Sequence, residues 1–347
     1  MNKGISIIIC CYNSQDRLTT TLRAIKRLVL PKDVPVELMI VDNASKDNTV
    51  QVIEQILGQN QLSFPYTIVY EHKAGLVHAR IAGVKMARYP LVLFVDDDNE
   101  LNEDYLLRGY EILAADSSIG VLGGFSKGVF KEPLPSWINP GYPFKTLLNS
   151  LAVTSENTSA VGYLDELNEF VFGASSYYRK AILDQLVLTG YELKLSGRSG
   201  EILLSGDDQE LCFIVRMAGY RIFRSDKLRF KHHIEQSRIS KPYFIRLFTG
   251  FGYSSLILNV YEAVLQGKSV LEIRGQVKLL TQLKIALLGT LFLSLGNIWP
   301  SKFFKLRLLQ AFERGRLNFL QDNSHLENIY KSVKALNDQL TDNPSAV

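Results

Sequence analysis

Cysteine is scarce: the chain has three in 347 residues, Cys10, Cys11 and Cys212. Adjacent thiols pair badly and all three lie in apolar runs, so no disulfide scaffold is expected, only small buried thiols of a reduced, cytoplasmic setting. Net charge is scarce as well. The 39 Lys and Arg nearly balance the 35 Asp and Glu, and +4 over this length is too little to argue for a nucleic-acid partner. Neither Gly-x-x-x-x-Gly-Lys nor a Gly-x-Gly-x-x-Gly after the first apolar run is present, which removes the main support for nucleotide triphosphatase and dinucleotide readings. What remains is 46% hydrophobic, 21% charged and 10% aromatic, the composition of a globular chain with one large domain or two, and not of a disordered, fibrous or polytopic membrane protein.

The apolar run Ile5 to Cys10 reads as a first strand and is too short for a targeting signal. Ser14 can cap a helix carrying Leu18, Leu22, Ile25 and Val29, stopped by Pro31. Strands at Val36 to Val41, Tyr66 to Tyr70 and Leu91 to Val95 alternate with helices on Val50 to Leu57 and around Ala79 to Ala87. This βαβαβαβ order predicts an α/β fold with a doubly wound, mostly parallel sheet and flanking helices. Val121 to Gly124 and Phe170-Val171-Phe172 read as further strands, Arg179 to Leu188 and Asp208 to Ala218 as helices, and Pro133 to Phe144 as a loop or lid. From Lys241 only helices are expected: Tyr243 to Leu265, Val270 to Leu295, Phe303 to Leu320 and Leu326 to Leu336.

Ligands of open parallel sheets sit at the carboxyl ends of the strands. There this chain delivers Tyr12-Asn13, Asp42-Asn43 and Asp96-Asp97-Asp98-Asn99. Three consecutive carboxylates raise one another's pKa unless a cation neutralises them, and hard oxygens suit Mg²⁺ or Mn²⁺. The pattern suggests a metal-held nucleotide diphosphate with its base on a tyrosine.

The runs Ser6 to Asn13, Ile40-Val41-Asp42-Asn43-Ala44-Ser45, Gly75-Leu76 with Ala79-Arg80, Phe94 to Asn99, Phe172 to Ser176 and Gly206 to Leu211 resemble, in order and spacing, the family 2 glycosyltransferases of GT-A fold. The resemblance covers residues 4 to 240. It implies a metal-dependent inverting transfer of a sugar from a nucleotide-diphospho-sugar to a glycan or lipid-linked acceptor in surface polysaccharide synthesis. It further implies a catalytic domain over 1–240, with a nucleotide-sugar half to about 125 and an acceptor half after it, and a helical region over 241–347. By position, Tyr12, Asn13, Asp42, Arg80, Asp96 and Asp97 would bind the nucleotide-sugar, and Asp98 the metal. Gly173 and Ala174 would lie on the acceptor side. Asp42 suits uracil N3–H, which prefers a UDP-sugar. The usual Glu-Asp pair is Asp207-Asp208 here, so the general base is one of these two, with Asp208 preferred; at a helix start it would stay ionised.

Similar transferases return a histidine to the metal, which makes His232 the candidate and sends His233 outward. Trp137, between Pro135 and Gly141, is either an acceptor-side stacking residue or ordinary loop packing. The uncharged stretch Ile285 to Ser301 has 17 residues, at the lower edge of a bilayer span of ~20, and is followed by Lys302, Lys305, Arg307, Arg314 and Arg316 among Phe303, Phe304 and Phe312. That composition favours peripheral association with the cytoplasmic face of the membrane. The competitor is a helical cap on the catalytic domain or on a second subunit in a homo-oligomer. The alternatives to an enzyme of this kind are a catalytically silent nucleotide-sugar-binding scaffold and a nucleotidyltransferase; the latter lacks its basic glycine-rich loop.

Overall fold

The computed structural model describes residues 3–58, 62–139, 147–154, 159–195, 203–269, 280, 283–284, 287, 300–321 and 323–342. The first part alternates as expected: β1 (Ile5–Cys11), α1 (Leu18–Lys26), β2 (Val36–Asp42), α2 (Thr49–Leu57), β3 (Tyr66–Tyr70), α3 (Leu76–Met86) and β4 (Leu91–Asp96). All of β2 and nearly all of β1 and β4 are buried, because helices cover both faces; hence continuous apolar runs rather than alternation. These strands pair in parallel in the order β3-β2-β1-β4. α3 needs small residues because it presses on the sheet: a Cβ at Gly83 would lie 2.5 Å from Ile8 and 3.3 Å from Val41.

The N-terminal end of α1 differs from expectation. Ser14 does not cap the helix with its side chain; its hydroxyl donates to Asp97 and its carbonyl accepts from Arg17 and Leu18, so the helix starts at Leu18. It also stops before Val29, whose N–H donates to the Glu103 carbonyl at 2.7 Å.

The rest of the sheet is mixed. After β4 come β5 (Asn99–Leu101), α4 (Tyr105–Ala115), β6 (Ile119–Phe130), β7 (Gly162–Tyr163), β8 (Ser176–Arg179), α5 (Lys180–Leu188), α6 (Asp207–Met217) and β9 (Arg221–Ile234). The sheet continues β4-β8-β6-β9-β5, with β8 antiparallel to both neighbours and β9 antiparallel to β5 but parallel to β6. Phe170-Val171-Phe172 is a loop, and the strand starts at Ser176. The triplet's apolar character serves packing instead: Val171 fills the space beside Gly123, and Phe170 and Phe172 meet edge to face at 5.9 Å.

α7 (Lys241–Leu265), α8 (Pro300–Leu320) and α9 (Asn323–Asp342) complete the chain. One hydrophobic core runs from Ile8 and Val41 through Leu211 and Ile214 of α6 to Leu256 and Val260 of α7 and Ile329 and Val333 of α9. α7 and α8 cross backbone to backbone. A Cβ at Gly252 would overlap the Phe312 carbonyl, and one at Gly315 would overlap that of Thr249.

Trp137 packs edge-on against Phe244 and Phe304, at 5.6 and 5.3 Å, in a satellite cluster with α7 and α8. Of its two readings, this is loop packing; the ring joins the helical region and does not line the cavity described below. Phe304, Leu308 and Ala311 of α8 are buried in the same cluster, packed with Phe244, Leu247 and Phe248 of α7. Among the described residues no helix is long and apolar enough to cross a membrane. The expected lid at Gly141 to Phe144, the helix at Val270 to Leu295 and the uncharged stretch Ile285 to Ser301 lie outside the described residues, isolated positions aside.

Candidate active site

A cavity of about 1290 Å³ opens at the carboxyl ends of β1 and β4 and extends to the start of α6 and the side of α7. Among the described residues, seven carboxylates and four arginines line it, an acidic excess before any ligand enters.

The residues expected to face a nucleotide are placed by the strand ends. Tyr12 is 51% exposed at the cavity edge, an aromatic face available for stacking. Asn13 serves the loops instead. It sits in a left-handed turn (φ 50°), its side chain accepts from Lys46 N–H at 2.8 Å and its N–H donates to Ser45, tying the β1 and β2 loops together. Asp42 is buried and is not among the residues that line the cavity; among the described residues its Oδ1 has no hydrogen-bond partner, which leaves an orphan acceptor next to the lining residue Asn43. Asn43 staples the next loop, donating to the Glu71 and Lys73 carbonyls and accepting from Gly75 N–H at 2.7 Å.

The three consecutive aspartates face three environments. Asp96 is the most open; burial pushes its carboxyl up to about 6, with Arg80 acting against this and Asp98 reinforcing it. Asp97 turns inward to the Ser14 hydroxyl and to Arg17 at 2.9 Å; burial raises its pKa despite both partners. Asp98 lies 3.4 Å from His232 Nε2 and 3.6 Å from Arg238. Burial acts to raise its pKa, but His232 and the arginines outweigh that and hold it below the ordinary value. His232 arrives by register: β5 and β9 pair with Asn99 opposite His232, which brings its imidazole under the preceding Asp98. His233, on the other face of β9, bonds Glu100 at 3.0 Å.

Among the described residues no three His, Cys, Asp or Glu side chains are grouped to hold a metal by themselves. Mg²⁺ and Mn²⁺ sites need fewer, because these ions bind through one or two carboxylates plus substrate phosphates. Asp98 Oδ2 and His232 Nε2 form such a pair, Asp96 is the adjacent open carboxylate, and the lining carries more carboxylates than arginines. The donor set therefore fits a divalent ion shared with substrate.

At the start of α6 the two aspartates separate into distinct roles. Asp207 accepts from Arg80 Nη1 at 2.7 Å, and Arg80, buried over the Phe94 ring, also faces Asp96 at 4.0 Å. Among the described residues Asp208 has only backbone donors, Gln209 N–H at 2.9 Å and Gly173 N–H at 3.4 Å. Burial, reinforced by Asp207, pushes its carboxyl up to about 7, so desolvation outweighs the helix start that was expected to keep it ionised. Gly173 is glycine for space: a Cβ there would stand 3.1 Å from Arg80 and 3.2 Å from Asp208. Ala174 is buried behind it on the cavity wall.

Sequence reasoning missed several groups. Arg17 holds Asp97 and Glu235, at 2.9 and 3.1 Å, and its position one turn after Tyr12-Asn13-Ser14 was the available signal. Arg238 approaches Asp98 from a distant segment, with no local signal. Glu210 takes the N–H groups of Lys194 and Leu195 at 2.7 Å each and the Tyr261 hydroxyl, tying α6 to α7. The thiols of Cys10 and Cys212 are pushed up to about 12 by burial, which leaves neither as a nucleophile.

A family model described as Glycosyl transferase family 2 matches residues 6–186. The poly(ribitol-phosphate) beta-glucosyltransferase of Bacillus spizizenii is 30% identical over 142 residues, covering 38% of this chain and 22% of that protein. The poly(ribitol-phosphate) beta-N-acetylglucosaminyltransferase TarS of Staphylococcus aureus is 31% identical over 146 residues, or 42% of this chain and 25% of that protein. The chain thus matches about a quarter of the length of these curated relatives. In fold it is similar to the mannosyltransferase PcManGT from Pyrobaculum calidifontis in complex with GDP-Man and Mn²⁺, at 16% identity and a TM-score of 0.54, over 99% of this chain and 87% of that one.

Proposed function

Because the chain belongs to glycosyl transferase family 2, we propose that it is an inverting glycosyltransferase that moves a sugar from a UDP-sugar to an acceptor hydroxyl in surface polysaccharide synthesis. The observation that carries this reading is the division of labour between Asp207 and Asp208. Arg80 neutralises the first, so the second is the carboxylate free to accept a proton, and its value of about 7 matches a base working near neutrality. A silent scaffold would have no use for such tuning.

Tyr12 would stack on the base and Asp42 Oδ1 would accept the ring N–H that uracil offers. Asp98 and His232 would hold a divalent ion, which when bound supplies Lewis-acid stabilisation of the diphosphate. The acceptor oxygen attacks the anomeric carbon from the face opposite the diphosphate, the carbon–oxygen bond to the diphosphate breaks with its electron pair leaving on UDP, and the hydroxyl proton passes to Asp208. One displacement inverts the anomeric centre. The named activities of the two curated relatives, glucosyl and N-acetylglucosaminyl transfer, support transfer of a sugar, and the Mn²⁺ in the mannosyltransferase structure supports the metal.

Purified protein is expected to release UDP from a UDP-sugar at least tenfold faster with Mn²⁺ or Mg²⁺ than with chelator, and Asp98→Ala is expected to remove that stimulation. Metal-independent turnover would overturn the metal reading, and absence of turnover with every donor would overturn the enzyme. A second expected result is a kcat/KM that rises with pH and levels off above an apparent pKa near 7, since Asp208 must be deprotonated to act. A profile flat from pH 5 to 9 would remove Asp208 as base.

A further inference from the structure

Ligand pockets usually enclose about 300–1,000 Å³. This cavity holds about 1290 Å³, and its two ends differ in chemistry. The nucleotide-facing end is built from carboxylates and arginines. Beyond Asp208 the wall changes to Phe251, Ser254 and Leu258 of α7 and Phe312 of α8. This wall stands beside the base. At Gly206, immediately before α6, an added Cβ would lie 3.5 Å from Leu258 and 3.9 Å from Ser254.

Two observations say what such a wall would take. Ser254 is 1% exposed, yet its hydroxyl has no hydrogen-bond partner among the described residues, so it has bonding capacity that the protein leaves unused. Of the four arginines among the described lining residues, Arg17, Arg80 and Arg238 face Asp97, Asp207 and Asp98, and the Arg224 guanidinium is committed to the Ala160 carbonyl at 3.2 Å and to the Phe170 carbonyl. A phosphate-bearing acceptor calls for a guanidinium or ammonium turned toward it. A neutral sugar instead offers C–H faces to aromatic rings and hydroxyls to serines.

We propose that this end of the cavity is the acceptor site and that it takes a neutral saccharide, with ring faces against Phe251 and Phe312 and Ser254 bonded to a sugar hydroxyl. The inference rests on the transferase reading above. It makes the C-terminal helices part of the substrate site and assigns acceptor choice to residues outside the 6–186 segment that the family model matches.

The test uses the full chain, saturating UDP-sugar and two families of acceptor probe: neutral β-linked gluco- and N-acetylglucosamine oligosaccharides, and oligomers of a polyol phosphate. Neutral oligosaccharides are expected to raise UDP release at least tenfold over hydrolysis, and the polyol phosphates are not. Phe312→Ala and Phe251→Ala are expected to raise the acceptor KM at least tenfold while the donor KM moves less than twofold, with Ser254→Ala giving a smaller acceptor effect. Phe312→Leu, which keeps apolar volume but loses the ring face, separates stacking from folding and is expected to share the acceptor defect with an unchanged melting temperature. Better use of polyol phosphate, an unchanged acceptor KM in Phe312→Leu, or donor and acceptor KM rising together would each overturn the proposal. Donor turnover that answers to neither probe family sinks this inference alone, whereas absence of donor turnover sinks the transferase reading beneath it.

Discussion

Asp208→Asn is expected to lower glycosyl transfer by about 10²–10⁴-fold while raising the melting temperature. The loss follows from removing the proton acceptor at the junction of the two ends of the cavity. The gain follows from the sign of the pKa shift. Burial, with Asp207 alongside, moves the Asp208 carboxyl from the ordinary carboxylate range up to about 7. The folded state therefore holds a proton that the unfolded chain releases. This favours folding at low pH and is progressively lost as pH rises through about 7. A neutral amide has no such penalty. It can still accept from Gln209 N–H at 2.9 Å, giving up only the longer contact with Gly173 N–H at 3.4 Å. The variant should melt higher than the parent at pH 8, on the order of several degrees, and match it near pH 4. Thermal melts at both pH values beside a turnover assay decide the point. A variant that keeps activity, or one inactive and less stable at pH 8, contradicts the assignment.

Gly252→Val is expected to be the most damaging single change to the fold outside the sheet. Overpacking a filled core costs about 1–3 kcal/mol when side chains can move aside. Here the obstacle is the Phe312 carbonyl, part of a helix backbone, so α8 must lift as a unit. A fall in melting temperature of about 5–10 °C is the expected scale. Gly315→Val attacks the same crossing from the other helix, against the Thr249 carbonyl, so the double variant should cost less than the two effects added. Denaturation of the two single variants and the double measures this. Additive losses would mean that the two glycines do not share one contact.

The first four strands were legible because burial on both faces writes itself into sequence as an unbroken apolar run, and polar residues at the ends of such runs mark the cavity mouth. The second half was harder to read because its decisive information is non-local. Ser176–Arg179 is too short to announce itself and runs antiparallel to β4 only because its neighbours hold it there. The apolar triplet at Phe170 looked like a strand because filling a space beside Gly123 demands the same residues. His232 was found, but the pairing of Asn99 with His232 that explains its position lies in the sheet register. Ser14 had the residue type and spacing of a helix cap, and the aspartate it serves is far away in sequence. Trp137 was ambiguous since a ring that stacks on a sugar and one that packs on Phe304 are the same residue in the same kind of loop. Arg238 gave no local signal because a lone arginine carries its meaning only through its partner.

Because β9 closes against both β5 and β6, Asp98 beyond the end of β4 stays without His232 and Arg238 until synthesis has passed Arg238. A nascent chain has Asp96, Asp97 and Asp98 in hand while His232 and Arg238 are still to be translated, a delay of roughly ten to thirty seconds at ordinary elongation rates. Over that interval the emerging half can form its parallel strands with Arg17 beside Asp97 and Arg80 facing Asp96, yet Asp98 has neither the imidazole nor Arg238 beside it. The Asp98 corner of the cavity is thus completed late, when the last strand docks.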